Sequence, residues 1–170
     1  MKKNASAKPI LDLADKVIKD YMTKTAQGEP PAKKKVKGPL YFGIFLDDAN
    51  HNELMRWWRE DMGQLPLDTV FGHHMTSKFA PSPEDVEKYT PLIGQTFQVK
   101  ITGYAADDKG QAVSVDTDAD SSNKVKHITI SCATGTKPVY SNELLAKETK
   151  PVDNGPTLTA VFDQFPRTVK

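Results

Sequence analysis

Disulfide cross-linking is excluded from the start, because the 170 residues contain one cysteine, Cys132, and a bridge within the chain needs two. Ile128 and Ile130 share its face of a strand, which marks it as a small buried hydrophobe rather than a reactive thiol. Long hydrophobic runs are missing as well. No stretch approaches the roughly 20 apolar residues of a membrane-spanning helix, and the first residues lack the apolar core and cleavage pattern of a secretory signal. These absences predict a cytoplasmic protein with no membrane partner. Net charge is scarce too, at +1, but unevenly spread: residues 1–38 carry ten lysines against Asp12, Asp15, Asp20 and Glu29, which leaves 13 basic and 18 acidic groups for the remainder. A body of net negative charge does not suit a reader of duplex DNA, which gains affinity from clustered Lys and Arg. Apolar material is ample. With 38% hydrophobic and 26% charged residues, the chain can build one ordinary core.

Taken in order, Ile10, Leu13, Ala14, Val17, Ile18, Tyr21 and Met22 fall on one side of a helix over residues 9–24, an amphipathic pattern. The Pro-, Gly- and Lys-rich stretch that follows, to Gly38, reads as an exposed linker, so the chain divides into an appendage over 1–38 and a domain over 39–170. Leu40 to Leu46 is strand-like. A helix capped by Asp48 or Asn50 runs to about Met62 with Leu54, Trp57 and Trp58 on its apolar stripe, one indole buried and the other bordering a groove. Thr69 to Phe79 predicts one strand, and Ser82 caps a short helix from Pro83 to about Tyr89. Two alternating segments around the turn at Asp107–Gly110 form a hairpin. Another strand carries Lys126 to Ser131, Ser141 caps a helix to about Lys147, and Thr157 to Phe162 ends the series. The class is α+β, in two halves.

Each half carries His-x-Thr in a strand: His74-Met75-Thr76 and His127-Ile128-Thr129. Successive strand side chains point to opposite faces, so His127, Thr129 and Ser131 share one face, expected to be wet, opposite Ile128 and Ile130. On the earlier strand His74, Thr76 and Lys78 share a side. Two imidazoles with ordinary pKa of about 6.5 suit acid and base roles near neutrality, and threonine hydroxyls can donate to phosphoryl oxygens where charge accumulates. His73 and His74 are expected on opposite faces, unable to share an ion, and no carboxylate or Cys cluster offers a metal site. His51 reads as a residue of its helix's first turn.

These two motifs, 53 positions apart, resemble the signature of the 2H phosphoesterase superfamily. With Tyr41 to Leu46, His127 to Ser131, the Gly135-x-Lys137-Pro138 loop and Ser141-Asn142-x-Leu144, the chain is most similar to phage anti-CBASS cyclic-oligonucleotide phosphodiesterases; the fungal tRNA-ligase cyclic-phosphodiesterase type is the neighbouring alternative. Ser77 departs from the superfamily pattern, where an apolar residue often follows the Thr. The resemblance implies a bilobal fold of two pseudo-symmetric lobes about a central groove. It implies His74, Thr76, His127 and Thr129 as catalytic residues, with no metal or cofactor. Tyr41, Lys78, Ser131 and Lys137 become candidates for substrate contact, Tyr41 by stacking on a nucleobase. The implied reaction is metal-independent hydrolysis of 3′–5′ bonds in cyclic oligonucleotides, antagonising nucleotide-signalled antiviral defence. The alternatives are opening of 2′,3′-cyclic phosphates on RNA ends and nucleotide binding without turnover. Oligomeric state, including a homo-oligomer, stays open.

Overall fold

Aromatic and branched residues at consecutive positions begin the described part of the chain, which in this computed structural model comprises residues 38–169. The helix expected over 9–24 and the basic linker lie outside them. β1 (Tyr41–Leu46) is followed by α1 (Asp48–Glu60), the two-residue β2 (Thr69–Val70), β3 (His74–Phe79) and α2 (Pro83–Tyr89). Then come a short 3-10 turn, β4 (Thr96–Ala106), β5 (Gly110–Asp116), β6 (His127–Cys132), α3 (Tyr140–Lys147), the two-residue β7 (Lys150–Pro151) and β8 (Thr157–Phe165).

The eight strands form one sheet ordered β2-β6-β5-β4-β8-β1-β3, with β7 attached to β4, and each pairing is antiparallel. β2 and β3 sit at opposite ends of that order, yet only Phe71, Gly72 and His73 separate them in the chain. Four residue steps span at most about 14 Å. The sheet therefore curls until its two edges nearly meet, and β3 comes into contact with β6. One wing is β3-β1-β8 and the other β4-β5-β6-β2, the α+β arrangement of two halves expected from the sequence.

The strand predicted over Thr69 to Phe79 is thus two strands. Gly72 adopts φ +70°, a left-handed conformation open to glycine at little cost, and it redirects the chain from one edge of the sheet to the other. The amides of Phe71 and Gly72 donate to the carbonyls of Ile130 and Thr129 at 2.7 and 2.8 Å, after which Leu46 donates to the His73 carbonyl at 2.9 Å. Gly43 lets β1 and β3 approach closely: a Cβ there would meet the Met75 carbonyl oxygen at 2.4 Å. Beside it Phe42 pairs with Lys78 and Gly43 with Thr76, so Ser77 is the extra residue of a bulge.

The core joins Phe42, Ile44, Leu54, Trp58, Met75, Ile130 and Phe162. Trp57 and Trp58 are both buried, which corrects the expectation that one borders the groove. α1 sinks far enough that two neighbours 100° apart on its circumference are covered, and the indole N–H of Trp58 donates to Gln111 Oε1 at 3.1 Å. The cap of α1 is Asp47, whose carboxylate accepts from the Asn50 amide at 2.8 Å, not Asp48 or Asn50; Asn50 instead accepts from the Thr159 amide of β8. Ser82 caps α2 as expected, in a reciprocal capping box with Asp85. Ser141 does not cap α3. The N-cap position is Val139, with no side-chain bond, because the Ser141 hydroxyl is buried against Thr129.

Candidate active site

β6 is built from alternating polar and β-branched residues, which favours an extended strand, but neither of its faces is wet. All six residues are buried, Ser131 at 0% exposure, His127 at 7% and Thr129 at 9%, because β2 and β5 flank the strand and α3 lies over the polar face. That corrects the expectation of a wet face. Burial obliges each polar group on it to find a partner.

His127 Nδ1 lies 2.8 Å from the Val125 carbonyl. A carbonyl only accepts, so Nδ1 carries a proton and Nε2 is the nitrogen left for chemistry. Burial pulls the His127 pKa below its ordinary value, while the bond to Val125 pulls the other way. The Thr129 hydroxyl stands 2.8 Å from Ser141 Oγ and 3.5 Å from the Pro138 carbonyl. With Ser141 donating to it, Thr129 points its own proton at the Pro138 carbonyl, a long bond that a phosphoryl oxygen can displace. Ser131 donates to Gln111 Oε1 at 2.7 Å and accepts from the Leu67 amide at 3.0 Å, so its hydroxyl is spent inside the protein and the structure withdraws it from the groove.

His74 opens β3, on the other wing. Its ring stacks on Tyr41 at 5.1 Å, on Phe45 at 5.5 Å and on His73 at 4.8 Å. Burial, then the neighbouring charges of His73 and His127, push its pKa down to about 4. The contact of β3 with β6, and the bond from the Gly72 amide to the Thr129 carbonyl, bring the strands that carry the two imidazoles together where the sheet nearly closes. His73 and His74 do not face apart as expected. His73 sits in the bend after Gly72, before strand alternation begins, and its Nδ1 lies 2.8 Å from Nδ1 of His74. Thr76 is half-buried, its carbonyl accepting from Ser121 Oγ at 2.8 Å, and among the described residues its hydroxyl has no protein partner.

The remaining candidates scatter. The Lys78 ammonium lies 3.5 Å from Asp85 at the start of α2, beyond the bulge at Ser77, and Lys137 is exposed in the loop before α3. Tyr41 stacks on Phe165 at 5.1 Å with planes 6° apart and on His74, on the two strands that flank β1; burial raises its pKa to about 12. Its hydroxyl is neutral at physiological pH. Phe165, 40% exposed, presents the more open aromatic surface.

Sequence reasoning missed His51, His73, Phe165 and Arg167. The His51 Nδ1–H donates to the Gly72 carbonyl at 2.8 Å, bracing the turn between β2 and β3. Arg167 lies over the Phe45 ring at 4.8 Å and 3.7 Å from Asp163. Asp163 is buried, which would raise its pKa, but hydrogen bonds from Thr168, Val169 and Gln164 outweigh burial and hold it below the usual carboxylate value. That ionised side chain fastens the segment carrying Arg167 beside the site. Short-range patterns carry no signal for contacts between residues so far apart in the chain. Among the described residues no group of three or more His, Cys, Asp or Glu is arranged to hold a metal ion.

The sequence profile of the fungal tRNA ligase phosphodiesterase domain matches residues 68–164, a span that contains β2 through most of β8 and both His-x-Thr motifs. A solved structure described as the crystal structure of fungal RNA kinase is similar at 17% identity and a TM-score of 0.52, covering 91% of this chain and 53% of that one. This chain thus spans about half the length of that protein, and likeness at such identity speaks for the fold. No curated protein matches the chain in sequence.

Proposed function

The chain belongs to the fungal tRNA ligase phosphodiesterase domain family, and from that premise we propose that it is a 2H-type phosphodiesterase that opens 2′,3′-cyclic phosphates at RNA ends. The observation that carries this reading is the contact between β3 and β6, the strands that carry His74 and His127, where the curled sheet nearly closes. Water attacks phosphorus; one imidazole takes its proton, the other gives a proton to the departing ribose oxygen, and a monoester remains. Thr76 and Thr129 donate to the non-bridging oxygens as charge gathers there. Two imidazoles supply both proton transfers, so the reading calls for no metal ion or cofactor. Lys78 and Lys137 serve at most as outlying partners for phosphate charge, since one is tethered to Asp85 and the other stands exposed in a loop.

The test is incubation of purified protein, in excess chelator, with RNA ending in a 2′,3′-cyclic phosphate. Ring opening to a terminal monoester is expected, with His74→Ala and His127→Ala each slower by at least about 10²-fold, the low end for loss of a general acid or base. Activity abolished by the chelator, or retained in both variants, would overturn the reading.

The second reading is hydrolysis of 3′–5′ bonds in cyclic oligonucleotides, in the manner of the anti-CBASS enzymes, and it draws on the resemblance in Tyr41 to Leu46, a strand outside the span matched by the family profile. Cyclic dinucleotides in the same assay decide between the two. Binding of either compound without turnover, equal in wild type and both variants, would favour a nucleotide-binding protein.

A further inference from the structure

We infer that His73 is a positioning residue that accepts the Nδ1 proton of His74, so that His74 presents an unprotonated Nε2 to the groove and acts as the general base, while His127 acts as the acid. This rests on the phosphodiesterase reading and assigns the two roles within it. The two Nδ1 atoms are 2.8 Å apart, a hydrogen-bond distance that accommodates one proton between two nitrogens. A proton on the His74 side leaves Nε2 of His74 with its lone pair, and the bond survives when that nitrogen takes a proton from water, because the imidazolium still donates from Nδ1. His73 thus does for His74 what a buried acceptor does for the base of a nucleophilic triad.

The surroundings of the two imidazoles differ in the same sense. His74 lies among Tyr41, Phe45 and a second imidazole, an environment that favours its neutral form. Burial lowers the pKa of His127 as well, but its bond to a backbone carbonyl opposes that shift and supports its protonated form. Environments that push two like groups apart separate acid from base. The charged and titratable groups that face the pair are Tyr41 on β1, His51 on α1, Arg167 beyond β8 and His127 on β6. Partial burial of its ring, then the like charges of His51 and Arg167, lower the pKa of His73 and favour it as an uncharged acceptor. The protons balance: one passes from the attacking water to His74, one from His127 to the departing oxygen, and solvent resets both rings.

His73 is exposed, so its replacement is compatible with folding, which a thermal melt verifies. On cyclic-phosphate RNA, His73→Phe keeps the stack and removes the acceptor. Its kcat should fall about 10- to 100-fold with KM nearly unchanged, a fraction of a full general-base loss. Its acidic limb should move to lower pH, because the His74 imidazolium loses the neutral acceptor of its Nδ1 proton. His73→Asn, whose amide oxygen can accept, should recover most of kcat. A second measurement isolates the roles: a nucleoside 3′-(para-nitrophenyl) phosphate has a leaving group that needs no proton. On it His127→Ala should lose far less rate than it loses on cyclic-phosphate RNA, whereas His74→Ala should lose as much on both. Wild-type kcat and pH profile in His73→Phe, or the reverse pattern on the nitrophenyl ester, would overturn the inference and leave the phosphodiesterase reading standing. A wild-type protein inert on RNA ends and on cyclic dinucleotides would overturn that reading itself.

Discussion

The amide of Gly72 donates to the carbonyl of Thr129 at 2.8 Å, a direct bond between the turn that launches the first His-x-Thr motif and the strand that carries the second. The two motifs are thereby held by backbone geometry rather than by side chains alone.

That bond depends on a position built for glycine. Gly72 has φ +70°, and a Cβ there would stand 2.9 Å from Met55 Sδ and 3.3 Å from the His51 ring. Gly72→Ala is expected to destabilise the fold by about 1–3 kcal/mol, for left-handed strain and crowding together, and to lower turnover further by shifting His73 and His74. A urea titration and a rate measurement on the folded fraction check this. Unchanged values for both would break the link between turn and site.

Ser131 and Ser77 make a contrasting pair, both at 0% exposure. Ser131→Ala strands the Leu67 amide and should cost about 1–3 kcal/mol of stability, with kcat/KM per folded molecule close to wild type. A large loss of kcat/KM with stability intact would restore Ser131 as a substrate contact.

The Ser77 hydroxyl lacks a hydrogen-bond partner among the described residues. Removing a buried, unsatisfied hydroxyl relieves its desolvation cost, so Ser77→Ala should raise stability by up to about 1–2 kcal/mol. A lower unfolding midpoint would mean that the hydroxyl is satisfied in solution.

His74 couples folding to pH. Its folded pKa, pushed down to about 4, lies below the unfolded value, so the unfolded chain takes up the proton first. Its contribution is fully present above about pH 6.5 and is lost as pH falls toward 4, at most about 3 kcal/mol over that window. The stability of His74→Gln should fall less over the same interval, as read from denaturant midpoints. Parallel curves for the two proteins would mean that His74 titrates normally.

Aromatic contact with substrate should divide between Tyr41 and Phe165. Tyr41 packs on His74 itself, so Tyr41→Ala should lower kcat by loosening that ring. Phe165 is the more open of the two, and Phe165→Ala should raise KM about 5- to 100-fold on RNA ends, the range for loss of one stacked base. Equal effects of both variants on KM alone would reassign Tyr41 to stacking.

Much of this molecule is legible along the chain. The α2 capping box between Ser82 and Asp85, the hairpin of β4 and β5, and the burial of Cys132 all follow from neighbours within a few residues, where propensity and periodicity operate. The misreadings have one origin. Asn50 accepts from Thr159 instead of capping α1, Ser141 turns to Thr129 instead of capping α3, and the supposedly wet face of β6 is covered. In each case a partner distant in sequence took the group that local rules had assigned elsewhere.

By itself the order of residues determined that two strands would each offer an imidazole and a hydroxyl, since strand alternation is a property of the backbone. Only the closing of the sheet decided that those strands meet, that Ser131 turns inward, and that His73 lies against His74. Such choices depend on which edges of a curled sheet come together, and a one-dimensional pattern contains no measure of that distance.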